Sequence, residues 1–284
     1  MKNAPNLELA LLARQWGATA VPFGEITDQA WLSTSQSQRA LALLEQTARL
    51  RSVMLLAGAN GVGKSALVGR WVSAMDRRLC APLVITQASL SGCGLLATVA
   101  ARLGKTPTFA RQGNLALIEP AVAELGPVVP VIIIDEAQSM GFGSLEEVRL
   151  LLGLNLAEPS AFALVLIGDE YLLSSLRLRQ HRSLYSRIAC HYNLSAWNAT
   201  HVAQYLQQGL SAVGISRPAI DPAALNLLTT ASGGLARTLC LLARTAWIEA
   251  ATAGSQNIEP AHVQAAIERV PGAAGLALPP AATS

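Results

Sequence analysis

A chain of 284 residues with 51% hydrophobic and 14% charged residues is long enough to bury a substantial core, as one large domain or as a core with a small companion. A net charge of +3, from 21 basic and 18 acidic residues, permits nucleic-acid binding but does not argue for it. The mean hydropathy of +0.37 suggests a membrane span, yet the longest apolar runs, 128–134 and 161–167, fall far short of the roughly 20 residues a spanning helix needs. The N-terminus does not read as a signal peptide, because the apolar stretch 7–13 contains Glu8 and is followed by Arg14. The expectation is a soluble, cytoplasmic protein with no membrane partner. Cys80, Cys93, Cys190 and Cys240 lie far apart, and His181, His191, His201 and His262 lack ligand spacing. Buried thiols in a reducing compartment account for the cysteines better than a metal site.

In chain order, short apolar runs alternate with helical stretches, as in an α/β fold. Strands are expected at 53–57, 83–86, 131–134, 163–167 and 190–194, and helices at 64–75, 95–103, 115–124 and 145–154. The near-continuous Val/Ile/Leu content of the strands suits a parallel sheet covered on both faces. Beyond Leu194 the pattern becomes helical, at 198–213, 222–231, 235–253 and 260–269. Asp221-Pro222 and Glu259-Pro260 mark helix starts, and Gly214 and Gly254 mark ends. The division expected is an N-terminal segment 1–50 leading into the nucleotide site, an α/β domain 51–194, a helical lid 195–270, and an Ala/Pro/Gly-rich tail 271–284 that would be disordered. No internal repeat is visible.

The sequence Gly58-Ala-Asn-Gly-Val-Gly-Lys-Ser65 fits GxxxxGK[ST], with a strand running in and a helix running out. Glycines at these positions let backbone N–H groups approach phosphate oxygens, and the helix N-terminus favours the anion. ATP and Mg²⁺ are the implied cofactors. The nucleotide would contact Gly58, Asn60, Gly61, Val62, Gly63, Lys64, Ser65 and Ala66, with Lys64 neutralising the β/γ-phosphates and Ser65 on Mg²⁺. The apolar run 131–134 ends in Asp135-Glu136, where Asp135 would hold Mg²⁺ and Glu136 would polarise the attacking water. Leu164-Val-Leu-Ile-Gly-Asp169 is a further strand ending in a polar residue, expected beside the γ-phosphate. Arg177, Arg179, Arg182 and Arg187 form a basic stretch in which most of these side chains read alternatively as a solvated helix, Arg187 apart. Arg187, directly before the last strand, would face a neighbour's nucleotide in a ring or filament and act there as an arginine finger. Arg237, in Ser232-Gly-Gly-Leu-Ala-Arg237, would either reach the phosphates or be an exposed residue at a helix start.

Taken together these elements resemble an AAA+ ATPase over about residues 23–269. More narrowly they resemble the ExeA-like group and the transposition regulators of the TnsC, TniB and MuB types. The carrying residues are Pro22-Phe23, 32–41 ahead of the P-loop, Ile134-Asp-Glu-Ala-Gln138, Leu166-Ile-Gly-Asp-Glu170, Ser186-Arg-Ile188 and Gly233-Gly-Leu-Ala-Arg237. The resemblance implies a P-loop AAA+ core with a five-stranded parallel sheet, a small all-helical lid, and ATP-driven assembly into rings or filaments. It also implies that residues 23–39 lie against the adenine. Relatives carry Gln, Thr, Ser or Asn where this chain has Asp169; an acceptor carboxylate beside a polyanion implies slow hydrolysis.

Secretion-associated ExeA proteins are larger, with a membrane span and a peptidoglycan-binding part that this sequence does not show, so its size resembles the transposon-encoded ATPases. By that resemblance Arg102, Lys105, Thr106 and Arg111 would contact duplex DNA through phosphates, unless they form a solvated loop. The first expectation is therefore a DNA-binding ATPase that regulates transposition. It would assemble as a homo-oligomer on double-stranded DNA and hand it to a transposase, with a target-selection adaptor as a further partner. The alternatives are an ExeA-type ATPase acting on protein, or a nucleotide-switched scaffold that does not hydrolyse.

Overall fold

The computed structural model describes residues 4–24, 28–86, 94–153, 160–271 and 273. Two compact units emerge. One comprises Ser35–Asn60 and Lys64–Ser195; the other comprises Met1–Thr34, Gly61–Gly63 and Ala196–Ser284. Residues 1–50, read from the sequence as a single lead-in, therefore divide between the two.

The α/β unit runs α2 (Ser35–Arg49), β1 (Val53–Ala57), α3 (Lys64–Ala74), β2 (Cys80–Ile85), α4 (Gly94–Arg102), α5 (Arg111–Glu124), β3 (Val129–Ile134), a 3₁₀ turn (Ala137–Ser139), α6 (Phe142–Leu151), β4 (Ala163–Ile167), α7 (Glu170–Leu176), a second 3₁₀ turn (Arg179–His181), α8 (Arg182–Tyr185) and β5 (Ile188–Asn193). The five strands are all parallel, in the order β2-β3-β4-β1-β5. All five residues of β1 and of β4 are buried, as the unbroken Val/Ile/Leu runs require of central strands. At the edge, β5 alternates half-buried and exposed positions and slips register against β1 after Val53. Parallel strands need long crossovers, and the helices that make them bury an apolar stripe on the sheet. Leu95, Leu96 and Val99 of α4, Ile118 of α5 and Val148 of α6 join Leu55, Ile132 and Leu166 in one core.

The second unit is helical: α1 (Ala4–Gln15), α9 (Ala199–Ser211), α10 (Pro222–Ser232), α11 (Ala236–Thr252) and α12 (Pro260–Arg269). Trp16 and Trp247 meet edge-to-face at 5.7 Å in its centre, so the segment after α1 is part of this core. Phe23 is buried there too, packed at 6.0 Å from Tyr205.

The helix signals read from sequence have the forms predicted. Asp221 caps α10 by accepting from Ala223 N at 2.7 Å, with Pro222 in the first turn. His262 accepts from the Glu259 backbone N–H at 3.0 Å and so serves the start of α12 rather than a metal. Among the described residues no helix is long and apolar enough to cross a membrane. The expected disorder of 271–284 lies outside the described residues, apart from Pro271 and Ala273.

The Gly233-Gly234 pair has a steric cause. Gly233 ends α10 in the left-handed region at φ +56°. At Gly234, φ is +71° and a Cβ would lie 2.0 Å from the carbonyl oxygen of Trp197. Trp197 in turn donates its N–H to Gly234 O at 2.9 Å, locking the two chains together. Gly234→Ala should therefore destabilise the helical unit by at least about 2 kcal/mol, read as a lower urea midpoint. An unchanged midpoint would mean that the approach is relaxed in solution.

Candidate nucleotide site

The sheet order places the C-terminal ends of β3, β4 and β1 side by side, since Leu166 of β4 pairs with both Leu55 of β1 and Ile134 of β3. In open α/β sheets ligands bind outside these carboxyl ends. Every acidic residue assigned from the sequence to the nucleotide site follows one of these strands. Asp135 and Glu136 follow β3, Asp169 follows β4, and the P-loop follows β1.

In the P-loop, Gly61 (φ +84°) and Gly63 (φ +106°) hold left-handed conformations that would strain other residues. Lys64 is buried, and its ammonium donates to the carbonyls of Gly58 at 2.7 Å and Ala59 at 3.1 Å. A buried ammonium turned into a loop of carbonyls is a cation held ready for an anion in the same loop. Ser65 is exposed on the first turn of α3. Val62 is buried, while Asn60 is exposed and Ala66 half-buried. Gly61–Gly63 group with the helical unit, where the Arg237 N–H donates to Gly61 O at 2.9 Å. That backbone bond joins Gly61 to Arg237, which is exposed in the first turn of α11.

Asp135 is half-buried at the end of β3 and accepts from the Glu136 N–H at 2.9 Å. Glu136 is exposed and sits in the left-handed region at φ 53°, ψ 38°, an uncommon place for a residue with a side chain. Among the described residues no cluster of three or more His, Cys, Asp or Glu forms a metal cage. One carboxylate, Asp135, and one hydroxyl, Ser65, suit Mg²⁺, which keeps several waters and takes its remaining oxygens from phosphate. The residues present therefore fit ATP with Mg²⁺.

The Asp169 carboxylate has partners of its own at the end of β4. Its Oδ1 accepts from Tyr171 N at 2.9 Å and Leu172 N at 3.2 Å, capping α7. A carboxylate held against backbone N–H groups at a helix start is stabilised there by the local dipole. Arg187 is exposed, and its guanidinium donates to the carbonyl of Leu152. Arg177, Arg179 and Arg182 are exposed as well.

The four DNA-contact candidates are not equivalent. Arg102 and Thr106 are exposed. Lys105 is held by Glu124 at 2.7 Å, and Arg111 lies 3.4 Å from Glu147, whose side chain is fully buried. Glu147 also accepts from Leu96 N at 3.2 Å. Both cations thus carry intramolecular charge partners, which sequence reading did not find because those partners lie 19 and 36 residues away. Buried Asn114 was missed likewise. It fixes the loop ahead of α5 by accepting from Thr108 N at 2.8 Å and donating to Thr108 O at 3.0 Å.

Comparison with known proteins agrees with this fold. Residues 47–176 match the family model described as an AAA domain. General secretion pathway protein A of Aeromonas hydrophila is 34% identical over 142 residues, which is 50% of this chain but 26% of that protein. The chain thus spans about a quarter of the length of that relative. Cdc6p from Pyrobaculum aerophilum superposes with a TM-score of 0.67 at 17% identity, covering 91% of this chain and 71% of the other. The ORC1 protein of Aeropyrum pernix, solved in complex with DNA, gives 0.64 at 18% identity, covering 90% and 68%. The fold is that of the P-loop AAA+ NTPases.

Two stability measurements check the local assignments. Asp169→Ala should cost about 1 kcal/mol through loss of the cap, whereas Asp169→Asn, still a good cap, should stay within a few tenths. Arg111→Ala, which removes the charge partner of the buried Glu147 carboxylate, should cost about 1–3 kcal/mol, against less than about 1 for Lys105→Ala at its more exposed pair. Equal costs for the two basic residues would contradict the burial argument.

Proposed function

We propose that this AAA+ ATPase is a nucleotide-driven assembly enzyme of the ExeA type, acting on protein. ATP with Mg²⁺ binds at the 58–66 loop, copies of the chain associate, and slow hydrolysis resets them. The observation that carries the reading is the 34% identity to General secretion pathway protein A. The ion pairs of Lys105 and Arg111 support it as well, since they occupy two of the four side chains on which the DNA reading rested.

In this reading Lys64 leaves the Gly58 and Ala59 carbonyls for the β/γ-phosphates, and the left-handed glycines keep the loop open to them. Ser65 and Asp135 hold Mg²⁺, which supplies charge neutralisation across the phosphates. Glu136 takes a proton from the attacking water, and the resulting hydroxide displaces ADP from the γ-phosphoryl group to give inorganic phosphate. Arg187 turns from Leu152 to the phosphates of a neighbouring copy. Arg237, tied by its backbone to Gly61, senses the occupied loop. Hydrolysis is slow because the group after β4 is Asp169, whose carboxylate is engaged in capping α7 and offers no donor to phosphate.

The second reading, a transposition regulator assembling on duplex DNA for a transposase and its target-selection adaptor, is favoured by one observation. A protein of this fold, ORC1 of Aeropyrum pernix, was solved in complex with DNA. Arg102 and Thr106 remain its exposed candidates.

Sedimentation with ATP, ADP or no nucleotide, run beside anisotropy of labelled duplex DNA at two salt concentrations, separates the two. The expected result is ATP-dependent self-association that needs no DNA, persists in Glu136→Gln and is lost in Arg187→Ala. Cooperative duplex binding that requires ATP and weakens steeply with salt would establish the second reading instead.

A further inference from the structure

After Ile134 the β3 backbone turns away from β4 through the left-handed Glu136, so β3 offers no carbonyl to the next N–H of β4, that of Asp169. A side chain takes its place. Gln138, in the 3₁₀ turn, accepts from the Asp169 N–H through Oε1 at 3.3 Å. The other end of the same amide, Nε2, donates to Glu136 Oε2 at 2.5 Å.

The two partners fix which way the amide faces, because a backbone N–H only donates and an ionised carboxylate only accepts. Gly168 leaves room for this bridge: a Cβ there would lie 2.9 Å from Gln138 Oε1 and 2.5 Å from Leu172 Cδ2. The Asp169 end of the bridge is itself anchored, since Asp169 caps α7. Glu136, by contrast, is exposed on a backbone of unusual conformation, and the Gln138 amide is the hydrogen-bond donor seen holding its side chain.

We propose that Gln138 is a positioning residue for hydrolysis, its amide tying the Glu136 carboxylate to the backbone N–H at the end of β4. A shift at the β4 end, where the γ-phosphate would be read, moves the amide and with it the group that accepts the water proton. The inference rests on Glu136 being that group. Gln138 itself touches neither nucleotide nor water and acts only through Glu136.

The test is the steady-state ATPase of the full chain across ATP concentration and pH, with three variants. Gln138→Met keeps the length and removes both hydrogen bonds. It should lower kcat about tenfold, the equivalent of one lost positioning bond, with KM within about twofold of wild type. Gln138→Glu can still accept from the Asp169 N–H but places a second carboxylate against Glu136. It should lower kcat further and move the acid limb of the kcat–pH profile to higher pH, because like charge raises the pKa of a base that must be ionised to act. A merely structural Gln138 would not shift that limb, so Gln138→Glu carries the test by itself should the Met variant not fold. Glu136→Gln should abolish turnover. If Glu136→Gln is inactive while both Gln138 variants keep the wild-type kcat and pH profile, the inference is overturned and the base assignment stands. Changes confined to KM would overturn it too. Normal turnover in Glu136→Gln would overturn the base assignment and the inference with it.

Discussion

The pairing of β4 between β1 and β3 is the constraint on which the α/β unit depends. One strand, registered on both sides through Leu166, brings three loop starts of distant sequence origin to one edge of the sheet. Complete burial of β1 and β4 holds that register, because a one-residue slip would send every side chain to the opposite face and misfit the core on both sides of the sheet. Each fully buried Val, Leu or Ile contributes about 1.5–3 kcal/mol, so the strand ends that carry the chemistry are set by the most strongly held part of the unit. The polar groups then need only short excursions beyond the sheet: one residue to Asp135, two to Asp169, and the P-loop itself after Ala57.

Much of this was legible in the sequence because the signals are local. Strands buried on both faces announce themselves as unbroken apolar runs, and 53–57 and 163–167 coincide with β1 and β4. Caps such as Asp221 act within three residues of themselves. The P-loop is a contiguous motif whose glycines have one physical use, and all three of them hold positive φ. Gly233-Gly234 could be noted as a motif, but its reason, a Trp197 carbonyl in the way of any Cβ, required the fold.

The features that escaped sequence reading share a cause, which is pairing across long separations. The charges of Lys105 and Arg111 look available in one dimension and are engaged in three. Asp169 could be read as an anion at the end of a strand, but that its carboxylate accepts from the N–H groups of the helix it begins required the fold. That residues 16 and 23 join a core with Trp247 and Tyr205, more than 180 positions away, could not be read from the sequence. Gln138 was visible as the last residue of Asp-Glu-Ala-Gln, but its role depends on a backbone N–H 31 residues away.

The most direct test of the nucleotide site is calorimetric titration of ATP into the wild-type chain and Lys64→Ala, each with Mg²⁺ and with a chelator. The site requires Mg²⁺-dependent binding by wild type, and a loss of about a hundredfold or more in Lys64→Ala, since a buried ammonium contributes charge-assisted bonds that nothing else in the loop replaces. Equal affinity in the two chains, or binding by wild type that is indifferent to Mg²⁺, would contradict the assignment of Lys64, Ser65 and Asp135 to one ATP–Mg²⁺ site.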